Sequence, residues 1–387
     1  MLVCSLRELR LAHWKAATAV AALHIVLACT TVPPRAERTR ELRGVWVATV
    51  NNLDWPSRRD LTPDEQRREL TAMFDRFAAL GLNAVFLQVR PAADAIYPSA
   101  LEPWSEFLSG EKGRDPGYDP LAFAITEAHA RGLELHAWFN PFRARHSSQT
   151  SPMPDGALTY GDLGWFDPGD EDVRRKTIAV VVDVVKRYDV DGVHLDDYFY
   201  PYPVGATDFP DDQSWSRYRG DLTRAEWRRD NVNRFVRDLH HAVKAARPGV
   251  EVGISPFGIW RPGHPSQIRG FDAYEGIYAD SRLWLQRGWV DYLAPQLYWP
   301  IDKREQSFPV LLRWWIAQDR HRRGIVPGIS IARVATGRAN SIPPEEIARQ
   351  LALVRHQRGA IGFILFSART LMENRGGVAD VVAESLR

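Results

Sequence analysis

The stretch Asp191-Gly192-Val193-His194-Leu195-Asp196-Asp197-Tyr198-Phe199-Tyr200-Pro201 sets two adjacent carboxylates at the end of an apolar run. Side chains alternate along a strand, so His194, Asp196 and Tyr198 share one face and Val193 and Leu195 the other. The aliphatic face suits packing against helices. Asp196 is therefore expected to face the opposite way, partly desolvated and in need of partners, which is the condition that tunes a proton-transfer group. Other apolar runs end alike. Gln88 and Arg90 end one, His136, Trp138 and Asn140 share parity on a second, and Gln296 and Tyr298 share parity on a third, with Trp299 just after. Buried polar groups are costly unless paired. This convergence reads either as a functional site or as an internal network, for example an Arg90–Asp196 ion pair.

Elimination narrows the chemistry. The only cysteines are Cys4 and Cys29, and neither a G-x-S-x-G elbow, a P-loop nor an H-E-x-x-H motif occurs. His240 and His241 are adjacent within a helical pattern, where neighbours point apart. Asp196-Asp197 lack further spaced ligands. No metal and no cofactor is therefore called for. What remains is carboxylate acid–base work in a chain with 14 Trp and 12 Tyr. Two carboxyls across a bond, donors to hydroxyls and flat rings for stacking are the equipment of glycoside hydrolysis. On that reading Asp196 is the nucleophile or base, and Asp197, or a loop carboxylate such as Glu102, Glu106 or Glu275, is the acid. Asn140, Gln296 and Tyr298 would bond sugar hydroxyls. Trp46, Trp104, Trp138 and Trp299 are stacking candidates, each equally a candidate for the core. A non-catalytic glycan-binding barrel and a hydrolase of another polysaccharide are the competing readings.

The elements that must position these groups repeat. Strand-like runs cover Arg43–Val50, Leu82–Arg90, Leu133–Asn140, Val190–Tyr198, Val250–Phe257, Val290–Trp299, Gly324–Ala332 and Ile361–Ser367. Several are near-continuous in aliphatic residues, as parallel strands covered on both faces require. Helix signals stand between them. Thr62-Pro63-Asp64-Glu65 and Thr223-Arg224-Ala225-Glu226 read as capping boxes, Asp119-Pro120 as another start, and Gly81, Gly132, Gly288, Gly324 and Gly359 as stops. The fold class is α/β, a single (β/α)8 TIM barrel over residues 41–387 with long loops after strands 2, 3 and 4 (91–118, 141–168 and 201–222). In such a barrel these loops frame the mouth where active sites are built.

The first 28 residues read as an export signal, with Arg7, Arg10 and Lys15 ahead of the uncharged run 16–28. Val26-Leu27-Ala28-Cys29 resembles a bacterial lipobox, so Cys29 is expected to carry lipid and residues 29–40 to act as a tether. A net charge of +2 over 387 residues gives no ground for a nucleic-acid partner. The barrel is expected to work as a monomer.

Five motifs together are familiar. Arg43-Gly44-Val45-Trp46, Gln88-Val89-Arg90-Pro91, His136-Ala137-Trp138-Phe139-Asn140-Pro141, the Asp191–Tyr200 segment, and Ala294-Pro295-Gln296-Leu297-Tyr298-Trp299-Pro300 resemble those of the glycosyl hydrolase-like 10 family of bacterial envelope lipoproteins. The resemblance spans roughly residues 40–370. It implies a barrel glycosidase, lipid-anchored in the cell envelope (on the periplasmic side of the outer membrane in a Gram-negative cell). The implied substrate is peptidoglycan, cut in its GlcNAc–MurNAc strands after the stem peptides have gone, with cell-division proteins as partners. Strand-end parity and these motifs together make Trp46, Gln88, Arg90, His136, Trp138, Asn140, His194, Tyr198, Tyr200, Gln296, Tyr298 and Trp299 the candidate substrate-binding residues. The Asp191–Asp196 segment also resembles the strand-4 signature of chitinase-type enzymes, and Asp196 fits the nucleophile position of α-amylase-type barrels. His194 and Tyr198 stand where the chitinase pattern has Asp and its acid Glu, so that acid does not carry over.

Overall fold

The computed structural model describes residues 40–387. The expected signal 1–28, Cys29 and the tether up to residue 39 lie outside the described residues. The barrel strands are β1 (Leu42–Val47), β2 (Ala84–Arg90), β3 (Glu134–Phe139), β4 (Gly192–Leu195), β5 (Glu251–Ile254), β6 (Tyr292–Leu293), β7 (Gly328–Ser330) and β8 (Gly362–Phe366). They form one parallel sheet in the order β7-β8-β1-β2-β3-β4-β5-β6. Its two ends meet. Leu293 bridges Ile325 and Gln296 bridges Gly328, with Val326 N–H to Leu293 C=O at 2.9 Å and Leu297 N–H to Gly328 C=O at 3.0 Å.

Every strand is shorter than its sequence pattern, and for three of them the reason is identifiable. Pro295 lies in the run expected to continue β6 and Pro327 in the run expected to begin β7, and proline offers no N–H to a ladder. The closing contact therefore survives as separate bridges rather than a continuous strand. On β4 the chain leaves the sheet at Leu195 and turns, Phe199 N–H reaching Asp197 C=O at 3.0 Å.

Eight helices of seven residues or more follow the strands in turn: α1 (Pro63–Ala79), α2 (Pro120–His129), α3 (Glu171–Arg187), α4 (Arg224–Ala246), α5 (Ser281–Arg287), α6 (Phe308–Gln318), α7 (Pro344–His356) and α8 (Val378–Ser385), while Asp212–Tyr218 adds one within the β4–α4 loop. Both capping boxes form. Thr62 caps α1 with Glu65, and Thr223 caps α4 with Glu226. One apolar layer packs between strands and helices, from residues such as Val85, Leu135, Val193, Phe235 and Leu312. A second, smaller layer fills the barrel interior with Leu42, Trp46, Phe86, Trp138, Tyr292 and Ile364.

Inward positions alternate bulk with its absence. A Cβ on Gly192 of β4 would sit 2.2 Å from His136 Nδ1, and one on Gly253 of β5 would sit 1.8 Å from Tyr292 Cζ. These two glycines make the space that the His136 and Tyr292 rings occupy. The loop after β3 carries its own antiparallel three-stranded sheet, Arg143–Arg145, Leu158–Tyr160 and Leu163–Trp165.

Candidate active site

The inward side chains stack in two levels. The lower level is a hydrogen-bonded chain inside the barrel. Trp46 Nε1 donates to His194 Nε2 at 3.1 Å, while Tyr292 Oη lies 3.0 Å from His194 Nδ1 and 3.1 Å from His136 Nδ1. His136 Nε2 lies 3.3 Å from Glu134. Burial and the neighbouring His136 hold His194 well below its ordinary pKa, hence neutral. Trp46, His136 and His194 are fully or almost fully enclosed, and their polar atoms are spent within this chain, Trp46 on His194 and both histidines on the shared Tyr292 hydroxyl. The structure places them beneath the mouth.

The upper level carries the carboxylates. Asp196 Oδ2 accepts from Asn140 Nδ2 at 2.8 Å and from Trp138 Nε1 at 3.1 Å, so two neighbouring side chains of the β3 end fix its orientation. Asp197 comes in beside it. Strict alternation would have sent Asp197 toward the helices, but β4 ends at Leu195 and the turn brings it round. Gln296 Nε2 donates to Asp197 Oδ1 at 3.0 Å, and the Tyr202 hydroxyl donates to Oδ2. Both carboxylates are over nine-tenths buried.

Burial pushes the Asp196 carboxyl up to about 7, against the pull of the Arg143 guanidinium and with the Asp197 charge adding to the push. Burial also raises Asp197, opposed by its bonds from Tyr202 and Gln296. Two carboxyls in one desolvated space are coupled, the charge on one disfavouring ionisation of the other. Asp196 Oδ2 accepts from two N–H donors, whereas its other oxygen receives only a long bond (3.4 Å) from Tyr198 N–H.

The remaining sequence candidates separate. Tyr298 sits by the pair, its hydroxyl pKa raised by burial and by both aspartates, and its ring stacks on Phe366 at 5.9 Å. Tyr198 lies under the Arg143 guanidinium at 4.5 Å. Trp299 is half-buried on the rim, 5.6 Å from Phe257. Gln88 instead caps the loop after β1, accepting from Thr49 and Val50 N–H at 3.0 and 2.9 Å. Arg90 grips Glu102 through two bonds of 2.7 and 2.5 Å and holds the Asn140 and Pro141 carbonyls at 2.6 and 2.9 Å. The Arg90–Asp196 pair weighed from sequence is thus replaced by Arg90–Glu102. Tyr200 is enclosed between Phe209 and Tyr278, away from the pair.

The loop carboxylates offered as the acid are engaged elsewhere. Glu102 belongs to Arg90. Glu106 pairs with Arg59 at 2.6 Å; burial opposes its ionisation, but bonds from Thr150 and Ser151 prevail and hold its pKa low. Glu275 lies on the surface between Arg229 and Arg261. Trp104 packs against the core, partly buried.

Alternation on strands could not show residues beyond the strand ends. Arg143, three residues past Asn140, is one. Tyr202, Phe257 and Phe271 are others. With Tyr198 and Trp299 they form a continuous half-buried aromatic wall, in which Tyr202 lies 5.1 Å from Phe271 and Phe257 lies 5.4 Å from Phe271. The aromatic clustering of the loops was the available signal. Among the described residues no group of three or more His, Cys, Asp or Glu is arranged to hold a metal ion.

An eight-stranded parallel barrel with a buried carboxyl pair at the C-terminal end of β4 and an aromatic rim is the architecture of barrel glycosidases. The chain is similar over 89% of its length to the glycoside hydrolase domain of PgaB (BpsB) from Bordetella bronchiseptica, with TM-score 0.57, 16% identity and 99% of that domain covered. It matches the endo-β-1,4-mannanase of Thermotoga petrophila at TM-score 0.53 and 11% identity, over 90% of this chain and 77% of that one. At those identities the likeness speaks for the fold. Sequence goes further. The description "Glycosyl hydrolase-like 10" matches residues 41–343. Glycosyl hydrolase YngK of Bacillus subtilis is 41% identical over 373 residues, 91% of this chain and 72% of the relative. Glycosyl hydrolase DigH of Escherichia coli K12 is 34% identical over 417 aligned positions, 94% of each. The chain belongs to the glycosyl hydrolase-like 10 family.

Proposed function

We propose that this protein hydrolyses the glycan strands of peptidoglycan, at glycosidic bonds between N-acetylated sugars freed of stem peptides. The observation that carries the reading is the Asp196–Asp197 pair, buried together, separately hydrogen-bonded and walled by aromatic rings. Asp196, with its pKa near neutrality, is the general acid that protonates the leaving oxygen. Asp197, receiving hydrogen bonds from Tyr202 and Gln296, is the ionised partner that acts as base or nucleophile. The elevated pKa of Asp196 supports the opposite assignment to the one expected from sequence, in which Asp196 was the nucleophile or base and Asp197 an acid candidate. The wall of Tyr198, Tyr202, Phe257, Phe271 and Trp299 offers stacking faces to successive sugar rings. Work on an envelope polymer goes with the export signal and lipidated Cys29 expected from the sequence.

The test is incubation of the purified full chain with intact and with peptide-stripped peptidoglycan, products being identified by mass spectrometry. Soluble oligosaccharides released from the stripped polymer support the reading. Measurable glycan binding with neither polymer cut supports a non-catalytic binding barrel instead.

A further inference from the structure

Five arginines of the described chain are more than nine-tenths buried: Arg90, Arg143, Arg174, Arg228 and Arg323. Four have a carboxylate within ion-pair reach, namely Glu102 at 2.5 Å, Glu171 at 3.7 Å, Asp211 at 2.7 Å and Asp291 at 3.8 Å, respectively. Arg143 has none among the described residues. Its side chain makes a single long hydrogen bond, Nη1 to the Pro91 carbonyl at 3.4 Å, and its Nε is buried without any partner. The guanidinium is held in place by the Tyr198 ring at 4.5 Å and the Trp165 ring at 6.0 Å. Asn140 accepts from the Arg143 backbone N–H at 3.3 Å while donating to Asp196, which ties the cation's position to the carboxyl pair.

Asp196 and Asp197 feel the Arg143 charge without touching it; a desolvated guanidinium with no carboxylate in contact is costly, and a planar fork held by aromatic faces is suited to one. The Asp196–Asp197 pair would repel an anionic sugar. A fixed cation at its side removes that repulsion and supplies charge-assisted donors. We propose that Arg143 is a specificity-determining residue that receives a carboxylate carried by the substrate's sugar. This rests on the peptidoglycan reading, in which removal of the stem peptide bares the carboxylate of the lactyl ether on MurNAc. A uronic acid would present the same chemistry.

The test compares the full chain with its Arg143→Gln and Arg143→Lys variants. Three substrates are used: peptide-free GlcNAc–MurNAc strands, the same strands with their carboxylates converted to methylamides, and a glucuronate-bearing oligosaccharide. The wild type is expected to prefer the free acid over the amide by about tenfold to hundredfold in kcat/KM, the range of a charge-assisted bond. Arg143→Gln should bring that ratio to about 1 through KM, and Arg143→Lys should retain part of it. Preference for the glucuronate substrate alone keeps the carboxylate role and moves its source to uronic acids. Equal wild-type rates on acid and amide overturn the proposal. So does an equal loss on both in Arg143→Gln with a shifted pH profile, which assigns Arg143 to the carboxyl pair instead. If no substrate is cut, the peptidoglycan reading fails, and Arg143 is judged by calorimetric binding of the free-acid and amide strands to wild type and Arg143→Gln. Indistinguishable affinities there refute it.

Discussion

Replacing Asp196 by Asn should destroy activity and stabilise the fold. Asn keeps the shape, and its carbonyl oxygen can take the place of Oδ2 and accept from Asn140 and Trp138. It removes the charge that burial penalises. A rise from the ordinary 3.8 to about 7 corresponds, at about 1.4 kcal/mol per pH unit, to a ceiling of about 4 kcal/mol. The sign follows from proton binding. Between the two pKa values the folded protein keeps a proton that the unfolded chain has released, so wild-type stability falls as pH rises through this window and levels off above about 7. The Asn variant has no such loss. Its advantage should therefore grow by about 2–3 kcal/mol between pH 5 and pH 8, seen as a widening gap of several degrees in Tm. Thermal unfolding of both proteins at the two pH values, followed by circular dichroism, is the assay. An advantage that does not change with pH, or a variant less stable at pH 8, refutes the claim that Asp196 is a desolvated, strained carboxyl.

Tyr202→Phe removes a donor to Asp197 and should raise that carboxyl further above its already elevated pKa. The expected result is a fall of about tenfold in kcat at neutral pH, with the acidic limb of the pH–rate profile moved to higher pH and KM little changed. Glu102→Gln leaves Arg90 buried without its counter-charge and should cost about 3–5 kcal/mol in urea unfolding, because breaking one side of a buried pair exposes the full desolvation penalty.

The barrel could be read from the chain because parallel strands covered on both faces write themselves as aliphatic runs, and capping boxes such as Thr62–Glu65 announce the helices between. The strand ends could not. Pro295 and Pro327 interrupt the closing contact, and the early exit of β4 depends on a turn that alternation ignores. That exit turns Asp197 into the mouth, and parity alone would have sent it outward. Polar residues on strands were also read one level too generously. Trp46, His136 and His194 share the inward face with Trp138, Asn140 and Asp196, but the lower three are tied into a chain through His194 and the Tyr292 hydroxyl. Depth along the barrel axis separates the two sets, and a linear pattern carries no depth. Arg143 and the Tyr202–Phe257–Phe271 wall lie on loops, where no period points at a common centre.

In the proposed hydrolysis Asp196 and Asp197 act together. The most direct measurement is the turnover of Asp196→Asn and Asp197→Asn beside wild type on peptide-stripped glycan strands, at pH 7. Each variant is expected to lose about a hundredfold to ten-thousandfold while retaining its fold. Near-native turnover by either would contradict that joint role.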